Sequence, residues 1–317
     1  MTPLGATAIV VTHNSEKRIG ESLAALCRAG LTVRVVDNAS RDRTVALVTK
    51  DFPSVEMIAN QVNVGFAAAV NQALHGVDSD ITLLVNPDCV LPETTARELV
   101  NVLRQRPEVG IVGPRLIGAD GRVAISAHPF ESLASVVASR FGGNLAPVAL
   151  RRMLSGNRRR RAYDACRGSG TAVSVDWLSG ACLAVRTCLM TDIGGLNEKY
   201  FLYYEDEELC LQARRRGKEV VYVPTVEATH SGGGSSTEDP TQTWPHLYRS
   251  MLLFFARHRR STFQPVRVVV LLRALIGIGL AGVRLPMRPQ TAAARARAWT
   301  EVTRIALTAT RKRLEAP

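Results

Sequence analysis

ATAIVVTHNSEKRIGESLAALCRAGLTVRVVDN, residues 6–38, decides the fold. Its opening, ATAIVVTHN, is an apolar run without polar alternation that ends in turn formers. A strand buried on both faces reads this way. Ser15 stands where a helix N-cap belongs, ahead of Ile19, Leu23, Leu26 and Cys27 at helical spacing. LTVRVVD is a second apolar strand, with Asp37 at its C-terminal end. Strand, helix and strand in so short a span imply a parallel pair joined by a crossover.

The pattern continues outward. Ser40 is placed to cap a helix through Val45 and Val48, and VEMIAN (55–60) is a third strand. NVGFAAAVNQAL (63–74) is a loop entering a helix, and ITLLVNPDCV (81–90) is a fourth strand with Asn86, Pro87 and Asp88 at its tip. A helix over 93–105 and the strand VGIVGP (109–114) follow. This alternation predicts an α/β fold: a mixed, mostly parallel sheet with helices on both faces. Ligands of such sheets bind beyond the carboxyl ends of the strands, so Asp37, Asn63 and Asp88 are expected on one rim.

Beyond residue 114 the organisation changes. PRLIGADGRVAISA (114–127) reads as a hairpin around Asp120-Gly121. Residues 128–172, with the run Arg158–Arg161, read as a long, irregular basic insertion: either a solvated loop or a site for phosphates or lipid headgroups. VDWLSGACLAVR (175–186) is expected as a strand, and order continues to His230. After residue 240 the chain is helical, apolar and arginine-rich, which divides it into a domain over 1–240 and a helical appendage over 241–317. Within the appendage, 266–286 is strongly apolar but interrupted by Arg273. Its unbroken parts are short for a membrane span, so a helix on a membrane surface or packed on the domain is expected.

The net charge of +12 points to polyanionic or phosphorylated partners. The six cysteines show no paired spacing, and the first residues carry no signal-like segment; both suit a cytoplasmic protein with reduced thiols. The sequence has no GxGxxG after the first strand, no Walker loop and no GxSxG elbow. Aromatics do not interleave the arginine run, so nucleic-acid binding by stacking is not supported.

Four positions carry chemistry or a plain structural alternative. Asp37 is either an Asx-turn residue or an acceptor for the imide N–H of a pyrimidine base. Asp42 reads as a first-turn helix acid. Asn86-Pro87-Asp88 is a strand-ending turn or a carboxylate poised for Mg²⁺ or Mn²⁺ on a diphosphate. His230, ahead of Gly232, Gly233 and Gly234, is a structural histidine or completes a mixed N/O site with Asp88. The fifth feature is KYFLYYEDEELCLQARRRG (199–217). Acids in a first turn and arginines in a last turn suit an ordinary surface helix. Adjacent residues fan out by about 100° around a helix, so at most one or two of Glu205, Asp206, Glu207 and Glu208 can face a site. The aromatics before them can raise a carboxylate's pKa.

Taken together, VVTHNS (10–15), VVDNASRD (35–42), NVGFAAAVNQAL, NPD, WLSGACLAVR, the acidic stretch and the terminal His230 resemble the family 2 glycosyltransferases of GT-A fold, over about three quarters of the chain. The likeness is strongest to their bacterial rhamnosyltransferase branch. The resemblance implies that Asp37 holds the nucleotide base and that Thr12, Asn14, Asn63, Gly65 and Asn86 line the nucleotide-sugar pocket. Asp88 then stands for the surviving carboxylate of the DxD metal motif, helped by His230, with Asn86 in place of the first acid. Asp206 becomes the catalytic base and Glu205 its neighbour, while Glu207 and Glu208 remain helix-end charges. It further implies a dTDP-L-rhamnose donor, an N-acetylglucosaminyl-diphospho-polyprenol acceptor, Mg²⁺ or Mn²⁺, and an enzyme at the anionic inner face of the cell membrane. Asn86 also motivates a rival reading, a non-catalytic nucleotide-sugar-binding subunit; turnover discriminates the two. A nucleic-acid-binding protein would instead form a salt-sensitive DNA complex.

Overall fold

The computed structural model describes residues 3–141, 170–232, 240–285 and 289–315. In chain order the first elements are β1 (Thr7–Thr12), α1 (Ile19–Arg28), β2 (Thr32–Asn38), α2 (Thr44–Asp51), β3 (Glu56–Asn60), α3 (Phe66–Leu74), β4 (Ile81–Val85), β5 (Cys89–Val90), α4 (Glu93–Gln105) and β6 (Val109–Ile117). Then come β7 (Val123–Ala124), β8 (Ala127–His128), α5 (Leu133–Phe141), β9 (Val173–Ser174), β10 (Trp177–Leu178), β11 (Cys182–Arg186), α6 (Thr187–Ile193), α7 (Glu205–Arg215) and β12 (Glu219–His230). The last are α8 (Trp244–His258), α9 (Phe263–Arg284), α10 (Pro289–Thr308) and α11 (Arg311–Glu315).

The described residues group into two compact units, one of 3–130, 170–198 and 205–232, the other of 131–141, 199–204 and 240–315. The first contains one mixed sheet in the order β3-β2-β1-β4-β11-β6-β12-β5. β3, β2, β1 and β4 are parallel; β11 runs against β4 and β6, and β12 is again parallel to β6. The expected α/β sheet is therefore present. Alternation along β1 explains its apolar run. Ala8 and Val10 join a core with Ile19, Leu23 and Leu26 of α1 and Leu99 of α4. Ile9 joins the opposite core with Val70 of α3, Leu189 of α6 and Leu209 of α7. Helices cover both faces, so neither side of the strand can be polar.

Some local expectations fail for identifiable reasons. The Ser15 hydroxyl does not cap α1: residues 16–18 turn first, and the Ser15 carbonyl accepts the Arg18 and Ile19 N–H groups. Ser40 does not cap α2, because its hydroxyl is engaged by Asp37. Asp42 precedes α2 rather than sitting in its first turn, accepting from the Thr44 and Glu16 N–H groups at 3.0 and 3.1 Å. The stretch 175–186 is two strands, not one. β10 pairs with β8 in a separate two-stranded sheet, and the chain breaks at Ser179–Ala181 before β11 enters the main sheet. The region 128–172 is not irregular throughout, since 133–141 form α5; the run Arg158–Arg161 lies outside the described residues.

In the second unit the expected helix over the apolar stretch is present: α9 is continuous over 22 residues, and the Arg273 guanidinium lies 4.4 Å over the Trp299 ring of α10. By length and composition alone, Arg260–Arg284 is long and apolar enough to cross a membrane, and 28% of its apolar window is buried within the protein.

Candidate active site

The C-terminal ends of β1 and β2 lie side by side, with Thr12 in register with Asp37. The loops that leave them lock together. Asn14 adopts a left-handed backbone, φ 53°; its N–H donates to the Ser40 hydroxyl at 2.7 Å and its side-chain oxygen accepts from Arg41 N–H at 2.7 Å. Asp37 is buried; it accepts the Ser40 N–H at 2.8 Å and the Ser40 hydroxyl. The Asx-turn role open in the sequence is thus real. Next to it, the Asn38 amide donates to the Gly65 carbonyl at 3.0 Å. Gly65 takes φ 87° at the start of α3, a region that favours glycine, and its N–H donates to Asn63 Oδ1 at 2.9 Å. The sequence thereby brings the start of α3, where N–H groups lack helix partners, to the strand ends. Thr12 is buried, and its hydroxyl has no hydrogen-bond partner among the described residues.

The tip of β4 holds the second feature. β12 pairs with β5 so that His230 lies opposite Cys89, one residue past Asp88. This register brings together two residues far apart in sequence. His230 Nε2 is 3.3 Å from Asp88 Oδ1, and the Asn86 amide is 3.4 Å from the same nitrogen. Asp88 is buried, and its other oxygen is 3.5 Å from Arg18. Arg18 also donates to the Gly232 carbonyl at 3.3 Å. No set of three His, Cys, Asp or Glu side chains that could hold a metal occurs among the described residues. One carboxylate and one imidazole still fit a divalent cation as a partial donor set, completed by oxygens of a bound diphosphate. Gly233 and Gly234 lie outside the described residues.

The third feature is α7. Glu205, Glu207 and Glu208 are buried, which corrects the reading of the last two as solvent-facing helix-end charges. Asp206 is half-buried and accepts two backbone N–H groups: Gly180 to Oδ2 at 2.9 Å and Glu207 to Oδ1 at 2.8 Å. Gly180 is the break between β10 and β11. A Cβ there would lie 3.4 Å from the Asp206 Cβ, so the chain approaches the carboxylate closely. Loss of hydration raises the Asp206 pKa, and the two N–H bonds partly offset this. Burial, then the charge of Asp206, pushes Glu205 well above the usual carboxylate range. One Glu205 oxygen has no partner among the described residues. Adjacent acids that cannot both ionise freely share the proton unequally. Burial pushes Glu205 up the more strongly, while the two N–H donors favour the anion on Asp206. Tyr203 and Tyr204 lead into the helix at φ 71° each, an unfavourable conformation for tyrosine that sets where α7 begins.

The sequence reading missed Arg18 and Gly180. Arg18 is an ordinary basic residue in a turn, with no spacing to mark it. Gly180 had a signal, a glycine inside an apparent strand, which often marks a close approach.

Known proteins resemble this chain in sequence and in fold. Residues 7–159 match the family model Glycosyl transferase family 2. The chain is 28% identical over 274 residues to the N-acetylglucosaminyl-diphospho-decaprenol L-rhamnosyltransferase of Mycobacterium tuberculosis, covering 82% of this chain and 87% of that one. It also resembles a mannosyltransferase of Pyrobaculum calidifontis solved with GDP-mannose and Mn²⁺ (TM-score 0.55, 17% identity, 95% of this chain and 86% of that one). A further match is TarS residues 1–349 of S. aureus (TM-score 0.50, 17% identity, 96% and 90% covered). Residues 7–159 thus carry a family 2 glycosyltransferase domain, and the chain has the GT-A fold of these glycosyltransferase structures.

Proposed function

We propose that the protein transfers L-rhamnose from dTDP-L-rhamnose to an N-acetylglucosaminyl-diphospho-polyprenol, with inversion at the anomeric carbon, in the synthesis of the linker that attaches arabinogalactan to the cell wall. The observation that carries the chemistry is Asp206, a carboxylate held by two N–H groups beside Glu205, whose burial favours its neutral form. The mycobacterial relative, similar over most of both chains, supports the sugar and the lipid acceptor.

In this reading Asp37 accepts the imide N–H of thymine, and Thr12, Asn14, Asn63, Gly65 and Asn86 line the nucleotide-sugar pocket. Asp88 and His230 would hold Mg²⁺ or Mn²⁺, whose charge neutralises the diphosphate as it leaves; the Mn²⁺ bound by the P. calidifontis structure supports a divalent ion. Arg18, beside Asp88, adds positive charge at the same place. Asp206 takes the proton of the acceptor hydroxyl. That oxygen bonds to the anomeric carbon from the face opposite the nucleotide, and the bond to the diphosphate oxygen breaks. The sugar passes through an oxocarbenium-like state, as in glycosidic chemistry generally. An acceptor of this kind places the enzyme in the cytoplasm at the inner membrane face, with no role for nucleic acid.

Product stereochemistry tests the mechanism. NMR of the glycosylated lipid should show the anomeric configuration opposite to that of the donor. Retention would overturn the single displacement and with it the role of Asp206.

A further inference from the structure

The second unit has a feature that sugar transfer does not use. A cavity of about 490 Å³ is lined by Trp244 of α8, Arg273, Leu280 and Arg284 of α9, and Arg295 and Trp299 of α10. Among the described residues, three arginines line it and no acid does. Among the described residues, Arg284 and Arg295 have neither an ion pair nor a hydrogen-bonded partner. The aromatic wall is fixed in place. Trp244 and Trp299 lie 4.6 Å apart, and Trp299 lies so close to α9 that a Cβ on Gly277 would come within 2.5 Å of its ring.

Beside this cavity α9 presents an exposed apolar stripe. Val268, Leu272, Leu275, Ile276, Leu280 and Val283 fall on one helix face and are 49–75% exposed. Leu280 belongs to both the stripe and the cavity wall. An apolar face of this size on a soluble surface marks a docking site. Guanidinium forks match phosphate oxygens, and tryptophan favours the level between headgroup and hydrocarbon.

From these features we propose that α9 lies in the plane of an anionic bilayer. Its stripe sits among the acyl chains, and the cavity binds the phosphate of an anionic phospholipid headgroup. A nucleic-acid phosphate would leave the stripe facing water. A membrane span is disfavoured by the packing: Arg267 donates to the Ala306 and Leu307 carbonyls at 2.7 and 3.0 Å, and Arg273 stacks on Trp299. Carrying α9 across hydrocarbon would therefore strip it from α10 or drag Arg295, Arg297, Glu301 and Arg304 in with it. The proposal does not depend on which sugar is moved.

The test is vesicle sedimentation of the full chain. The protein should pellet with vesicles containing phosphatidylglycerol, pellet far less with pure phosphatidylcholine, and be released from cell membranes by alkaline carbonate. Each arginine near an anionic surface is worth about fivefold in partitioning, so R284Q/R295Q should weaken binding to phosphatidylglycerol about 25-fold. Leu272→Asn should weaken binding to both vesicle types. All positions changed are exposed or line a cavity, and circular dichroism checks that the variants are folded. Transfer to a short-chain, water-soluble acceptor should be unchanged in the variants, which separates this proposal from the assignment of the reaction. Equal binding to both vesicle types, wild-type binding by both variants, or resistance to carbonate would each overturn it.

Discussion

Asp206→Asn separates the two acids at the start of α7. In the wild type both Asp206 oxygens accept a backbone N–H, from Gly180 at 2.9 Å and from Glu207 at 2.8 Å. Asparagine offers one acceptor oxygen, so its amide group must face the other N–H. That loses one hydrogen bond and sets donor against donor, at about 1–3 kcal/mol. Removing the charge from a poorly hydrated place returns part of this. Turnover should fall further, because a general base is worth about 10²- to 10⁴-fold, or roughly 3–5 kcal/mol of barrier. Glu205→Gln should behave differently. One Glu205 oxygen has no partner among the described residues, and burial favours the neutral form of the group, so the neutral amide should substitute for it with little loss. The assay is kcat at saturating donor, KM for the donor, and thermal unfolding of both variants. We expect D206N to lose turnover, retain donor affinity and unfold slightly earlier, with E205Q at least as stable as wild type at neutral pH and modestly slower in turnover. D206N turnover within tenfold of wild type, or E205Q as the inactive variant, would refute the assignment.

Other outcomes follow from the same structure. Glu205 has a folded pKa well above its unfolded value near 4.5, so the folded state binds more protons between the two. Stability should therefore fall as pH rises through that window; E205Q should flatten the slope of urea midpoint against pH, and an unchanged slope would place the titration elsewhere. The Asp206 pKa is also raised, so kcat/KM should rise with pH through a value above 3.8, an acid limb that steady-state rates across pH would reveal. Asp88→Asn and His230→Ala should each weaken Mn²⁺-dependent donor binding by calorimetry, whereas equal binding with and without Mn²⁺ in all three proteins would remove the pair from metal binding. Gly277→Ala gains about 1 kcal/mol of helix propensity but forces a methyl to 2.5 Å from the Trp299 ring; overpacking of about 1–3 kcal/mol should win and shift tryptophan emission.

The sequence made the sheet legible because β1, β2 and β4 are buried on both faces, which leaves an unmistakable apolar run and places Asp37 and Asp88 at strand ends. The Asp88–His230 pairing could be anticipated from residue chemistry and strand-end position only as one of two alternatives, since a register between β5 and β12 leaves no local trace. Caps were misassigned because Ser15 and Ser40 are good capping residues whose hydroxyls here bond within their own loops, Ser15 to the His13 carbonyl and Ser40 to Asp37, the two demands being indistinguishable in one dimension. The burial of Glu207 and Glu208 was invisible for a similar reason. A charged first turn looks the same in sequence whether it faces water or is covered.

The central claim is a specific transfer carried out at this site. The most direct measurement is transfer from dTDP-L-rhamnose to a short-chain N-acetylglucosaminyl-diphospho-lipid, with and without EDTA, beside UDP-sugars and GDP-mannose. The account predicts product from dTDP-L-rhamnose alone, lost with EDTA and restored by Mg²⁺ or Mn²⁺. Product from another donor, or none from any, would contradict it.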